Sequence, residues 1–99
     1  MFVILWEFEV PSESREAFVR AFGPGGDWDA LFVRAAGFRG LELLGDPDRP
    51  GRFLTIDRWD GEAAFQRFLS ELGHDYAEMA DRLHVLSTRQ TRIGAFTQP

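Results

Sequence analysis

The side chains able to move a proton near neutral pH are few in these 99 residues: two imidazoles, His74 and His84, and one phenol, Tyr76. His74 and Tyr76 follow Gly73 and are separated only by Asp75. A neutral imidazole can take a proton from an activated C–H or a phenol, and a phenolic O–H can hold the oxyanion that then develops. His74 and Tyr76 are therefore the expected catalytic pair. Residues two apart do not share a helical face. The expectation thus carries a condition: His74 must lie in a Gly73 loop, ahead of a helix whose first turn presents Tyr76. His84, flanked by Leu83 and Val85, reads as an ordinary helix-face residue.

A second group of residues suits recognition. Trp6 lies on the face of the first strand that must look at the helices, and hence at any pocket between the layers. Its indole face would stack on a flat aromatic ring while its N–H offers a donor. Trp59 ends a later strand and is a second candidate contact, although packing is the stronger reading for it. Trp28 falls on the apolar stripe of its helix and reads as packing. Arg92 and Arg58 carry charge that can stabilise a developing oxyanion, and Asp57 can orient an Arg or a His. The expected substrate-binding set is Trp6, Trp59, Asp57 and Arg92. His74, Glu78 and Asp81 recur at i, i+4 and i+7 but lack a second nearby His, so they read as a solvated acidic face and no metal site is expected.

Composition removes many alternatives. The chain has no Cys, no Lys and no Asn. Disulfides, thiol nucleophiles, cysteine-ligated clusters, Schiff bases and a Walker lysine are excluded with them. Eleven Arg against 16 Asp plus Glu leave a net charge of −5, and no basic run forms, so nucleic acid and anionic membrane are not expected partners. The apolar start from Phe2 to Trp6 is too short for a signal-peptide core and is followed at once by Glu7. We read it as a strand of a cytoplasmic protein.

The elements that must position these residues follow from periodicity. Residues 2–10 alternate, with Phe2, Ile4, Trp6, Phe8 and Val10 on one face. Pro11 ends that strand, Ser12 is placed to cap a helix of about ten residues carrying Phe18, Ala21 and Phe22 on one stripe, and Gly23 closes it. Asp27 is expected to cap a short second helix with Trp28, Leu31, Phe32 and Ala35 on one side, stopped near Gly37. Residues 38–44 and 52–60 read as a hairpin around the turn-rich GDPDRPG. Ala64, Phe65, Phe68, Leu69 and Leu72 repeat with helical spacing up to Gly73, and Tyr76, Met79, Leu83 and Leu86 resume it, so two successive helices are expected. A last strand spans 89–97. The order is that of an α+β, ferredoxin-like fold, an antiparallel sheet with helices on one face. Val3 and Leu5 on the first strand, with Leu54 and Ile56 on the third, make the other face partly apolar, which favours a homodimer.

Four stretches carry a family resemblance over nearly the whole chain. They are Gly26-Asp27-Trp28, Ala36-Gly37-Phe38-Arg39-Gly40, the run from Phe53 to Trp59, and Glu62-Ala63-Ala64-Phe65. With them the chain resembles the antibiotic biosynthesis monooxygenase family. The resemblance implies a dimeric α+β barrel with an apolar pocket between sheet and helices in each subunit. Some members oxidise polyphenolic aromatics with oxygen and no cofactor, some degrade haem, and many have no assigned activity. The haem-degrading pattern is not met: Trp6 stands where its strand Asn is expected, Phe68 near its helix Trp, and His74 about a turn short of its axial ligand. The expectation is a single domain over 1–99, acting without cofactor on a small planar aromatic or polyketide-like molecule. The alternative is a non-catalytic ligand-binding or stress-associated dimer.

Overall fold

The computed structural model describes residues 1–99. Four strands form one antiparallel sheet: β1 (Phe2–Glu9), β2 (Phe38–Gly45), β3 (Arg52–Trp59) and β4 (Arg89–Thr97). Their order across the sheet is β2-β3-β1-β4. The helices are α1 (Arg15–Phe22), α2 (Asp27–Phe32) and α3 (Glu62–Leu83), with single 3-10 turns at Ser12–Ser14 and His84–Leu86. This is the ferredoxin-like arrangement that the alternating and helical periodicities lead one to expect. No helix is long and apolar enough to cross a membrane.

Register divides the sheet into two faces. Across β1 and β3, Phe2 pairs with Trp59, Ile4 with Asp57, Trp6 with Thr55 and Phe8 with Phe53. Successive side chains on a strand point to opposite faces, so these residues share the face beneath the helices. Two packed clusters stand on it. One gathers Phe2, Ile4, Leu31, Phe32, Leu41, Trp59, Ala64 and Phe68. The other gathers Phe8, Val10, Phe18, Ala21, Phe22 and Leu83. Trp6, Trp28 and Met79 pack against both.

The opposite face carries no helix. Val3 lies beside Phe96, and Leu5 beside Ile56. Leu44 and Phe96 are 45% and 52% exposed. Ion pairs flank this strip, Glu7 with Arg52 and Glu42 with Arg58. The single chain therefore leaves an apolar sheet face open, as the two-sided patterning indicated.

Three local expectations change. The helix after Pro11 begins as a 3-10 turn, and neither Ser12 nor Ser14 caps it through its side chain. At α2 it is Asp29, not Asp27, that satisfies an orphan amide, accepting from the Gly25 N–H at 2.7 Å. Asp27 instead accepts from Arg82 of α3 at 3.0 Å. The third concerns the junction in the C-terminal half. The two helices expected on either side of Gly73 are present as two segments of α3, which meet at a kink at Leu72 (φ −124°, ψ 17°). Gly73, a weak helix former, follows the kink directly. No loop separates the segments, so His74 lies in the first turn of the second one and the condition placed on it is not met.

Candidate active site

The space between the two clusters is a cavity. It leaves about 100 Å³ to the centres of water molecules. Each element contributes to its wall. Trp6 and Phe8 rise from β1, Leu41 from β2, Thr55 and Asp57 from β3, Phe22 from α1, Trp28 and Phe32 from α2, and Tyr76, Ala80 and Leu83 from α3; His84 and Gln90 stand at the edge. The β1 and β3 residues arrive there through period-2 alternation, and Tyr76, Ala80 and Leu83 through helical spacing after the Leu72 irregularity.

Aromatic rings hold the wall in place. Trp28 meets Tyr76 at a centroid distance of 5.3 Å, Phe32 at 5.6 Å and Phe22 at 6.1 Å. Tyr76 also meets Phe68 edge-on at 5.8 Å. Such rings are large, stiff and preorganised, and they present flat faces to a flat ligand. The Trp28 indole N–H is buried without a hydrogen-bond partner. An orphaned donor of this kind costs stability unless something accepts from it.

Against this apolar wall stands one carboxylate. Asp57 is half-buried. Burial pushes its pKa up to about 7, and no hydrogen bond or neighbouring cation pulls it back. Desolvation disfavours the charged form, as it does for any acid among apolar side chains. Thr55, on the same strand face, is 6% exposed and is the single polar residue among the buried ones. Tyr76 feels the same surroundings: burial and then the Asp57 charge hold its phenol above the ordinary value, with Arg92 opposing. Near neutral pH, then, the phenol is a donor, and Asp57 is divided between base and acid.

The expected site residues separate on this frame. Trp6, Asp57 and Tyr76 line the cavity together. Arg92 pairs with Trp6 across β1 and β4 and is close enough to act on the Tyr76 phenol, but its side chain is exposed and does not form the wall. Trp59 is corrected to a core residue: it is 0% exposed and packs against Phe32, Phe38, Phe65 and Phe68. His74 is corrected to the outer surface of α3, where its Nε2 lies 3.2 Å from Glu78 and the side chain is 89% exposed. It does not share the cavity with Tyr76, because residues two apart in the helical segment after the Leu72 kink point to different faces. Trp28, Thr55 and His84 were not anticipated as wall residues. The signal for Thr55 was available: Phe53, Thr55, Asp57 and Trp59 alternate onto one face, and two polar residues in that row are out of place in a core.

Family comparison agrees with the architecture. The antibiotic biosynthesis monooxygenase family model matches residues 1–78. The chain belongs to that family. Among solved structures it is similar to SnoaB, a cofactor-independent oxygenase from Streptomyces nogalater, at 28% identity and a TM-score of 0.71, over 98% of this chain and 91% of that one. Rv0793 from Mycobacterium tuberculosis superposes with a TM-score of 0.71 at 16% identity, covering 99% of this chain and 94% of the other. A conserved protein from Methanosarcina mazei superposes at 0.74 with 10% identity, covering 99% and 92%. The last two similarities bear on the fold alone. No curated protein matches the chain closely enough to bear on its function.

Proposed function

We propose that this protein is a cofactor-free monooxygenase that oxidises a small planar aromatic held in the cavity between its two cores. The observation that carries the reading is the cavity itself: an aromatic wall around an unpartnered carboxylate and a protonated phenol. Family membership and the similarity to a cofactor-independent oxygenase support it. The wall would hold a flat ring by stacking between Trp6 and Trp28 and exclude water from it. Once such a substrate loses a proton it is electron-rich enough to pass an electron to oxygen itself, so the redox step belongs to the substrate. Tyr76 would donate a hydrogen bond to the oxygen on which negative charge collects, while Arg92 adds positive potential from the rim. The open sheet face would be covered by a second copy, giving a homodimer.

Oxygen uptake with anthrone as the probe tests this reading. Purified protein should accelerate consumption over the buffer rate and saturate with anthrone. Binding of anthrone, seen as quenched Trp fluorescence, without any acceleration would instead indicate a ligand-binding protein.

A further inference from the structure

We propose that Asp57 is the residue that takes the substrate proton in this cavity and later gives it back. The inference rests on the monooxygenase reading and names the residue that would do its proton chemistry. The other carboxylates bordering the sheet have arginine partners: Glu7 with Arg52, Glu9 with Arg49, Glu42 with Arg58 and Asp60 with Arg39. Asp57 has none, although it lies in the helix-facing row between Ile4 of β1 and Leu41 of β2. An unpaired carboxylate placed among aromatic rings weakens the fold, and an aliphatic residue there would pack better. A structural role does not account for it. A role toward a ligand does.

The charged and titratable groups around it are few. Tyr76 faces it from α3, His84 stands at the cavity edge beyond the end of α3, and Arg92 reaches the same region from β4. The β1, β2, α1 and α2 walls present only Trp6, Phe8, Leu41, Phe22, Trp28 and Phe32. His84 Nδ1 lies 2.7 Å from the Asp81 carbonyl. A carbonyl can only accept, so Nδ1 carries the hydrogen. Of the groups lining the cavity, only His84 at its exposed edge is another base; Asp57 alone stands inside it, and burial brings its affinity for a proton to about pH 7, where base and conjugate acid are both available.

The chemistry closes on this one carboxyl group. With anthrone, the Asp57 carboxylate takes one methylene proton and the electron pair stays on the substrate, spread onto its carbonyl oxygen. That carbanion passes one electron to O2, the two radicals combine, and the new C–O bond yields a peroxide anion. Asp57 returns the proton to give the hydroperoxide. It then takes the second proton from the same carbon; the C–H pair becomes the new C=O bond, and the O–O bond breaks. The departing hydroxide recovers the proton from Asp57 as water. Anthrone and O2 become anthraquinone and water, and Asp57 ends as it began.

Proton abstraction can be separated from oxygenation by working without oxygen. Exchange of the anthrone methylene hydrogens for deuterium in anaerobic D2O, followed by mass spectrometry, reads the first step alone. The intact protein should accelerate exchange, with a rate that rises to a plateau around a midpoint near pH 7. Asp57→Asn should lose roughly 10²-fold or more of that acceleration and its pH dependence, while anthrone still quenches Trp fluorescence. Equal exchange by Asp57→Asn and the parent overturns the assignment, even if oxygen uptake persists. Exchange that depends on Asp57 with no oxygen uptake in air upholds the base and overturns the oxygenase reading. Neither exchange nor uptake above the buffer rate overturns both. If Asp57→Asn does not fold, the parent's own profile decides: a flat exchange rate from about pH 5 to about pH 9 rejects Asp57.

Discussion

At the scale of single residues, the cavity is a place where stability has been given up. Asp57 is the clearest case, and its linkage has a definite sign. Its pKa rises from an ordinary 3.8 to about 7 on folding. The folded state therefore holds the proton more tightly than the unfolded chain, and the stability this confers is complete below about pH 4 and lost as pH climbs through 7. The effect is on the order of a few kcal/mol at most, since the group is only half-buried. Asp57→Asn should remove the decline: denaturant midpoints measured at pH 5 and pH 8 should differ less in the variant than in the parent, and an equal difference in both would mean the carboxyl is solvated in the fold. The two tryptophans of the β1–β3 face make a second contrast. Trp6→Ala should weaken aromatic-ligand affinity by about 1 to 3 kcal/mol with the fold intact, because Trp6 faces the cavity. Trp59→Ala should cost about 3 to 5 kcal/mol of stability, because Trp59 is sealed within the core. Urea titration and ligand titration together distinguish them, and the reverse pattern would exchange their roles. Residue type alone separates neither pair. Trp6 and Trp59 look alike in the sequence until register places one under the cavity and the other under the first core, and His74 looks catalytic until the second segment of α3 is seen to carry it outward, 89% exposed.

At the scale of elements, most of the fold was legible because each segment has a strong period. Alternation in residues 2–10, turn chemistry between β2 and β3, and helical spacing around Phe18 and Phe68 are local signals, and the structure honours them. What was not legible depends on contacts between distant segments. The break near Gly73 is a local signal that the kink at Leu72 bears out, but the outward direction of His74 beyond it depends on the face of the second segment that packs against Trp28 and Phe68 through Tyr76. The short α2 is tied to α3 by Arg82 to Asp27 and by Arg34 to Asp75, pairs separated by more than forty positions in the chain. Both pairs are exposed and contribute at most about 1 kcal/mol each, so α2 is held mainly by Leu31 and Phe32 in the core. Gly37 is the element-level constraint that packing does set. Its φ of +89° favours glycine, and an added Cβ would lie 2.6 Å from that of Ala64 at the start of α3. Gly37→Ala should therefore push α3 off the end of β2 and cost about 2 to 4 kcal/mol. A melting temperature within a few degrees of the parent would show that this junction yields.

At the scale of the whole molecule, one sheet face is finished and the other is not. Helices and two cores cover the first. The second presents Val3, Leu5, Ile56, Leu44 and Phe96 between ion pairs, and a strip of that kind is stable in water mainly when something covers it. A second copy offers the same strip, and a two-fold axis brings like against like. Light scattering at micromolar concentration should give twice the 11.3 kDa chain mass, and Leu5→Asp should return it to the monomer. A monomeric parent would leave the open face without a partner of its own kind. The cavity lies on the other side of the sheet, so ligand binding to the Leu5→Asp monomer measures how far the site depends on assembly.

A flat aromatic should occupy the space between the two cores, and a crystal soaked with anthraquinone would reveal it. The ring system should lie between Trp6 and Trp28, with one carbonyl oxygen within hydrogen-bond reach of the Tyr76 hydroxyl and the ring edge facing Asp57. Anthraquinone bound on the open sheet face, or in the groove between α2 and α3 beside Arg34 and Arg82, with the cavity unoccupied, would contradict it.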